Sequence, residues 1–384
     1  MKFTAVLDEL GFTSLAQKTA LVRLLNYKAY FGKPYHKFGL DITDENIRLL
    51  LEIDKLPTLE LQQAQLNKFL QENFLRPKNL ENAVSNDIEP EKIRIEVIEQ
   101  LGVLGFIDPI KPLAFSNNKL PTVIFIQGGE EAHMSQSVKD ALEFCKNNED
   151  VKLIIPLSSD RKTWPLYEES TIQMLLDQGK IEQVKLAEII QRHFTPELIK
   201  NKNNDFESLL KARKNCAKEL NDDYKITWPT EAEIMNRLIN ANKDSKTIDL
   251  KSKIMPAIVG TLAKGHRPAI DEILEALKES ESLNELEKLG KINIVIFSRQ
   301  PIIHNTINVF LKSLKSAFSP NNVGEIQGFS AEDPAPKASA ALDGLARAIY
   351  SRIDLNKAKS VQTSPSSHQQ NLLNEQANQS ERRF

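Results

Sequence analysis

Thr122-Val-Ile-Phe-Ile-Gln-Gly-Gly129 decides the fold class of this chain. The apolar run is too short for a buried helix, is rich in β-branched residues, and stops at two glycines before a helical pattern. A strand buried on both faces of a parallel sheet reads this way. A second run of the same kind, Ile292-Asn-Ile-Val-Ile-Phe-Ser298, also leads straight into a helix. Between them, Val151-Lys-Leu-Ile-Ile155 follows a helical stretch over about 134–147, with Val138, Leu142 and Phe144 on its apolar face, and the polar turn Asn147-Asn-Glu-Asp150. This strand–helix–strand spacing predicts a right-handed crossover between parallel neighbours. Open sheets of that class take ligands outside the carboxyl ends of their strands. The loops 127–133, 158–163 and 298–304 are therefore the places to look for a site.

Outward from the strands, helices dominate. Residues 1–115 read as a helical N-terminal domain. Ser14-Leu-Ala-Gln17 is a capping box, Thr43-Asp-Glu45 and Pro57-Thr58 are further helix starts, and Pro90 precedes a helix from Ile93 to Leu101 closed by Gly102. The aromatic-rich Tyr27–Phe38 suits packing between helices better than stacking on a base or a sugar. A Pro-punctuated linker, Gly105–Pro112, leads into an α/β domain over 116–180 and 291–353. A helix from about Glu168 to Gln178, ended by Gly179, closes its first part. Its second part holds helices over 303–316 and 338–353, with Val323–Phe329 as a final edge strand. The intervening 181–290 reads as a helical insertion. Its one ambiguous apolar run is Ile254-Met-Pro-Ala-Ile-Val-Gly260, where Pro256 argues against a central strand. Residues 354–384 read as a tail rich in Ser, Gln and Asn, disordered unless a partner folds it.

Composition narrows the function classes. At 384 residues there is ample core for two or three domains, and 41% hydrophobic with 27% charged residues is ordinary for a globular protein. A net charge of −2 argues against a basic nucleic-acid binder. The Lys200–Lys225 stretch interleaves acids with its bases and would repel phosphates about as often as attract them. No apolar run approaches the roughly 18–20 residues of a membrane span. Acids stand where a signal peptide would be apolar, so a cytoplasmic location is expected, and the abundance of Lys, Asn and Ile is associated with AT-rich bacterial genomes. Cys145 and Cys216 are too few for a disulfide framework or a cysteine zinc site. The remaining His36, His193, His266 and His368 have no metal-ligand spacing, so no metal site is expected and no cofactor is specified.

Three loops carry candidate chemistry. In Gln127-Gly-Gly-Glu-Glu-Ala-His133, Gly128 and Gly129 let backbone N–H groups approach a ligand at a helix N-terminus, unless they only make a tight turn. Glu130 is the candidate acid–base group there. In Ser158-Ser-Asp-Arg-Lys-Thr163, the hydroxyls of Ser158 and Ser159 and the guanidinium of Arg161 suit a phosphate or carboxylate, or simply a polar surface loop. Glu169 opens the next helix, a placement the helix dipole favours by itself; Trp164 lids a pocket or anchors the loop. In Ser298-Arg-Gln-Pro-Ile-Ile-His304, Arg299 is placed to clamp an anion and His304 to act as acid or base, or to pack between apolar neighbours.

The order and spacing of Val123–Gly129, Leu153–Ser159, Glu169-Ser-Thr-Ile-Gln-Met-Leu-Leu-Asp-Gln-Gly179 and the strand ending in Ser298 resemble the bacterial YdcF-like family. Pro301 stands where that family's histidine is expected, His304 where its arginine is expected, and the helical segment between is longer. The resemblance implies a Rossmann-like sheet binding a nucleotide-like or phosphorylated small molecule, and adds Glu169 and Ser298 to the ligand-binding set. The function expected is thus binding of an anionic small molecule, with Ser158, Arg161 and Arg299 holding the anion and Glu130 or His304 moving any proton in a hydrolysis or group transfer. The rival expectation is a bacterial effector or adaptor, secreted or not, with a degenerate α/β scaffold and a protein partner engaged through the C-terminal tail.

Overall fold

A computed structural model describes residues 2–25, 52–74, 91–165, 169–200, 206–245, 253–260, 270–300, 302–317, 322–331 and 338–363. The N-terminal region is helical, with α1 (Lys2–Glu9), α2 (Leu15–Leu24), α3 (Leu59–Asn73) and α4 (Glu91–Val103). The Ser14 capping box forms, and the Thr58 hydroxyl caps α3. Helix α4 does not stop at Gly102 as the sequence suggests. It ends one residue later because Gly105 adopts φ +77° and the N–H groups of Gly105 and Phe106 return to the carbonyls of Gly102 and Leu101, a Schellman closure. The Thr43 start and the Tyr27–Phe38 segment lie outside the described residues.

Strand β1 (Thr122–Gln127) follows, then α5 (Glu131–Asn147), β2 (Val151–Ser159) and α6 (Glu169–Asp177). Next come α7 (Gln183–His193), α8 (Pro196–Lys200), α9 (Phe206–Tyr224) and α10 (Glu231–Ser245). Two strand pieces, β3 (Lys253–Ile254) and β4 (Ile258–Gly260), precede α11 (Ile270–Lys278) and α12 (Glu281–Leu289). The chain then runs through β5 (Ile292–Phe297), α13 (Ile302–Ala317), β6 (Val323–Phe329) and α14 (Ala338–Thr363).

Every strand pairing is parallel, in the order β3–β2–β1–β5–β6 with β4 also on β2. This is the Rossmann-like sheet expected from the sequence. One face buries Val123, Phe125, Ile294 and Ile296 against Leu274 and Leu277 of α11, Leu286 of α12 and Phe310 of α13. The other buries Ile124, Ile126, Val295 and Phe297 against Met134 and Val138 of α5 and Ile234 and Met235 of α10.

Two boundaries differ from the sequence reading. The 181–290 segment is not purely helical, since Ile254 and Ile258–Gly260 add an edge strand to β2. Pro256 splits that strand into β3 and β4, a break tolerated at an edge, where one side of the ladder is unpaired. Within this segment only α7–α9 build a core of their own, together with α6, Trp164 and Trp228, while α10–α12 cover the sheet. The last helix also departs from expectation. It runs on to Thr363, so residues 354–363 are helical rather than a loose tail. Its buried Leu342, Leu345 and Ile349 join the core of α1–α4, not that of the sheet. Residues 364–384 lie outside the described set. No described helix is long and apolar enough to cross a membrane.

Candidate functional site

The register sets the geometry. Gln127 pairs with Leu157 and Ile126 with Phe297, so β1, β2 and β5 end at one edge and their loops start side by side. From β1 the chain crosses over to β2 on one side, and β5 returns on the other. Strand order therefore reverses between β1 and β5, the position at which such sheets open a binding crevice. The three sequence-predicted loops converge, but around two different crevices.

The crevice between β1 and β5 is built on Gln127. Its side-chain oxygen accepts hydrogen bonds from the Ser298 hydroxyl at 2.5 Å and the Thr306 hydroxyl at 2.7 Å. These bonds tie the two strand ends together and commit Ser298 to a structural contact. Beyond Gly129, Glu130 is the N-cap residue of α5 and makes no side-chain cap bond. One turn later His133 Nδ1 lies 2.9 Å from Arg299 Nη1 and 3.6 Å from a Glu130 carboxylate oxygen. Because a guanidinium only donates, Nδ1 accepts, and the imidazole proton sits on Nε2. The His133 side chain is 35% exposed and that of Glu130 66%. A half-buried arginine, a partly exposed imidazole and a largely exposed carboxylate thus meet at the switch point.

The crevice between β1 and β2 is sealed. The Glu231 carboxylate, at the first residue of α10, accepts from the Ser159 hydroxyl at 2.8 Å and from Arg161 Nε at 3.1 Å. Of this ion pair, the Glu231 side chain is buried, at 2% exposure, and that of Arg161 is largely so, at 11%. Main-chain pairing holds it in place: Lys162 bridges Thr230, and the Glu231 N–H donates to the Arg161 carbonyl. A Cβ on Gly128 would stand 2.3 Å from Glu231 Oε1 and 3.0 Å from the Leu157 carbonyl and the Ser158 hydroxyl. A side chain at position 128 would therefore have to displace the Glu231 carboxylate. Ser158, also buried, has no hydrogen-bond partner for its hydroxyl among the described residues.

Other predicted residues have plainer roles. His304 is directed away from proton transfer at the crevice: its Nε2 lies 2.9 Å from the Gly105 carbonyl and its ring packs on Phe106 at 4.4 Å. Burial pushes its pKa below the ordinary histidine value, and the bond to Gly105 only partly opposes this. These contacts are those of the packing role that the sequence also allows for it. Glu169 is the first residue of α6. The carboxylate that occupies that helix start is Glu131, which accepts from the N–H and hydroxyl of Ser170. Trp164 is an anchor rather than a lid, being buried beneath the Arg213 guanidinium, 4.1 Å from its ring centroid.

Sequence reasoning missed Glu231, Gln127 and Thr306 as members of the site and did not pair His133 with Arg299. Thr230-Glu-Ala-Glu233 carried a signal, since its capping box forms and fixes where α10 begins. Nothing local to that motif says that Glu231 reaches the sheet edge. No family model matches the chain, and no curated protein matches it.

Proposed function

We propose that this protein binds an anionic small molecule, phosphorylated or nucleotide-like, in the crevice between the carboxyl ends of β1 and β5. The observation that carries this reading is the meeting of Arg299 and His133, from the loops after two neighbouring strands, at the point where strand order reverses. Arg299 is the group that holds the anion, by charge-assisted hydrogen bonds. Glu130, beside His133, takes the proton-transfer role in a hydrolysis or group transfer. Arg161 and Ser159 are not assigned to this ligand, because Glu231 already satisfies them. The ligand class follows from the YdcF-like resemblance of the loops, and the abundance of Lys, Asn and Ile favours a bacterial source.

A second reading, a protein-interaction scaffold of effector or adaptor type, is favoured by one observation: a buried protein carboxylate fills half of the ligand-binding edge.

A thermal-shift screen of the wild type against nucleotides, sugar phosphates and inorganic phosphate tests both. A ligand at a hundred times its dissociation constant adds about 2.7 kcal/mol of stability. Arg299→Ala is expected to weaken that ligand about 10- to 100-fold, the worth of a hydrogen bond to a charged group. A flat screen, or affinity untouched by Arg299→Ala, overturns the binding reading in favour of the scaffold.

A further inference from the structure

The sealed crevice is built from groups that recognise an anion. Arg161 supplies a largely buried guanidinium, its side chain 11% exposed, and Ser159 a hydroxyl, both on one carboxylate oxygen of Glu231. Ser158 adds a second hydroxyl, 1% exposed and without a hydrogen-bond partner among the described residues. It stands 3.0 Å from the point where a Gly128 Cβ would be, and Glu231 Oε1 stands 2.3 Å from that same point. A buried hydroxyl left unpaired costs free energy comparable to a lost hydrogen bond. An ion pair held only for stability is better replaced by apolar packing. Nor does Gly128 contribute a side chain to the packing there.

We infer that Arg161, Ser158 and Ser159 form a small-oxyanion seat that takes a carboxylate or phosphate group, and that Glu231 is its built-in occupant. The seat is distinct from the Arg299 crevice and rests on the proposed function only for the class of ligand. Its occupant arrives from α10, held by the pairing of Lys162 with Thr230. An anion in solution does not enter the wild type while the carboxylate is in place. Removing the Glu231 side chain beyond its Cβ leaves the largely buried Arg161 without that counter-ion and opens a space of the shape of the missing group.

The test is chemical rescue of Glu231→Ala with sodium formate, acetate and inorganic phosphate, read as the melting temperature against sodium chloride of equal ionic strength. Expected is a saturable rise with formate or acetate in Glu231→Ala and none in the wild type. The rise disappears in Glu231→Ala/Arg161→Met, which removes the cation, and shrinks in Glu231→Ala/Ser158→Ala. Glu231→Gln keeps the seat filled and stays unresponsive. A response to phosphate as well assigns the seat to tetrahedral anions; a response to formate and acetate alone assigns it to carboxylates. Equal responses to chloride and formate, or a rise that survives loss of Arg161, overturn the inference. If Glu231→Ala is insoluble in chloride, folding in formate supports the seat, and insolubility in both salts overturns it. Arg299 is intact in every variant, so failure here leaves the proposed function standing, and failure of that proposal leaves this experiment readable.

Discussion

Two groups of side chains meet at the carboxyl edge of one sheet, one on either side of β1, and they are built on opposite principles. Between β1 and β2 a cation meets a carboxylate out of water, at 11% and 2% exposure. Between β1 and β5 a cation meets a half-exposed imidazole, with a largely exposed carboxylate nearby. The same residue types are thus withdrawn from solvent in one place and remain partly exposed in the other. The difference is burial: charges withdrawn from water are strongly coupled to their partners, whereas exposed ones contribute little to folding.

The sharpest way to break the contrast is Glu231→Ala. Removing one member of a buried pair leaves the other charge without its partner, which costs about 3–5 kcal/mol. Denaturant unfolding reads this directly. Glu231→Met/Arg161→Met is expected to recover much of the loss, because apolar replacement of a whole buried pair is often neutral or stabilising. A loss under about 1 kcal/mol for Glu231→Ala would put the pair in the class of surface bridges and erase the distinction.

Gly128→Ala is next. Its methyl would fall 2.3 Å from Glu231 Oε1, an oxygen of a side chain that Arg161 and Ser159 hold in place. Overpacking of this kind costs about 1–3 kcal/mol. If the carboxylate is the cause, the cost falls in the Glu231→Ala background, and a double-mutant cycle returns a coupling of about 0.5–3 kcal/mol. A cycle with no coupling would return Gly128 to the tight turn that its sequence also allows.

The sheet was legible because strands buried on both faces carry their own pattern: Val123–Ile126 and Ile294–Phe297 are apolar at every position, as both helical layers require. The same physics hid β3 and β4, which pair on one side only, are short, and are split by Pro256. The placement of α14 was hidden too. An amphipathic helix shows that it has a partner but not which one, and Leu342 and Leu345 fit the N-terminal helices as readily as the sheet. For the site, position was legible and partnership was not. Loops at neighbouring strand ends must converge, yet the pairing of Arg161 with Glu231 spans 70 residues and depends on how an insertion folds back. His304 illustrates the converse: a histidine that follows Ile302 and Ile303 and precedes Asn305 and Thr306 gives no hint that its ring will meet Gly105 and Phe106.

That half-buried histidine offers a milder test, away from both sides of β1. Burial lowers its pKa in the folded chain below the unfolded value near 6.5. The unfolded state therefore binds more protons in the window below about pH 6.5, and stability falls as pH falls through that window toward the depressed folded value. His304→Phe, which keeps a ring against Phe106, is expected to flatten this part of the pH profile. An unchanged acid limb would show that other groups carry it, and that His304 is more accessible than its contacts imply.

The smallest expected effect on stability belongs to Arg299, and it is the one that decides what the open crevice is for. Arg299 is half-buried and its side chain meets a partly exposed histidine, so Arg299→Gln is expected to change the unfolding free energy by no more than about 0.5 kcal/mol. The glutamine keeps an amide donor but brings no charge. A ligand held by charge should lose about 10- to 100-fold in affinity, read as a diminished thermal shift at fixed ligand concentration. The two edges of β1 then give mirror-image results: at Glu231 a large change in stability, at Arg299 a large change in ligand response with the fold untouched. If Arg299→Gln instead destabilised the protein as much as Glu231→Ala, both crevices would be structural, and the sheet edge would hold the insertion and the N-terminal helices together rather than a ligand.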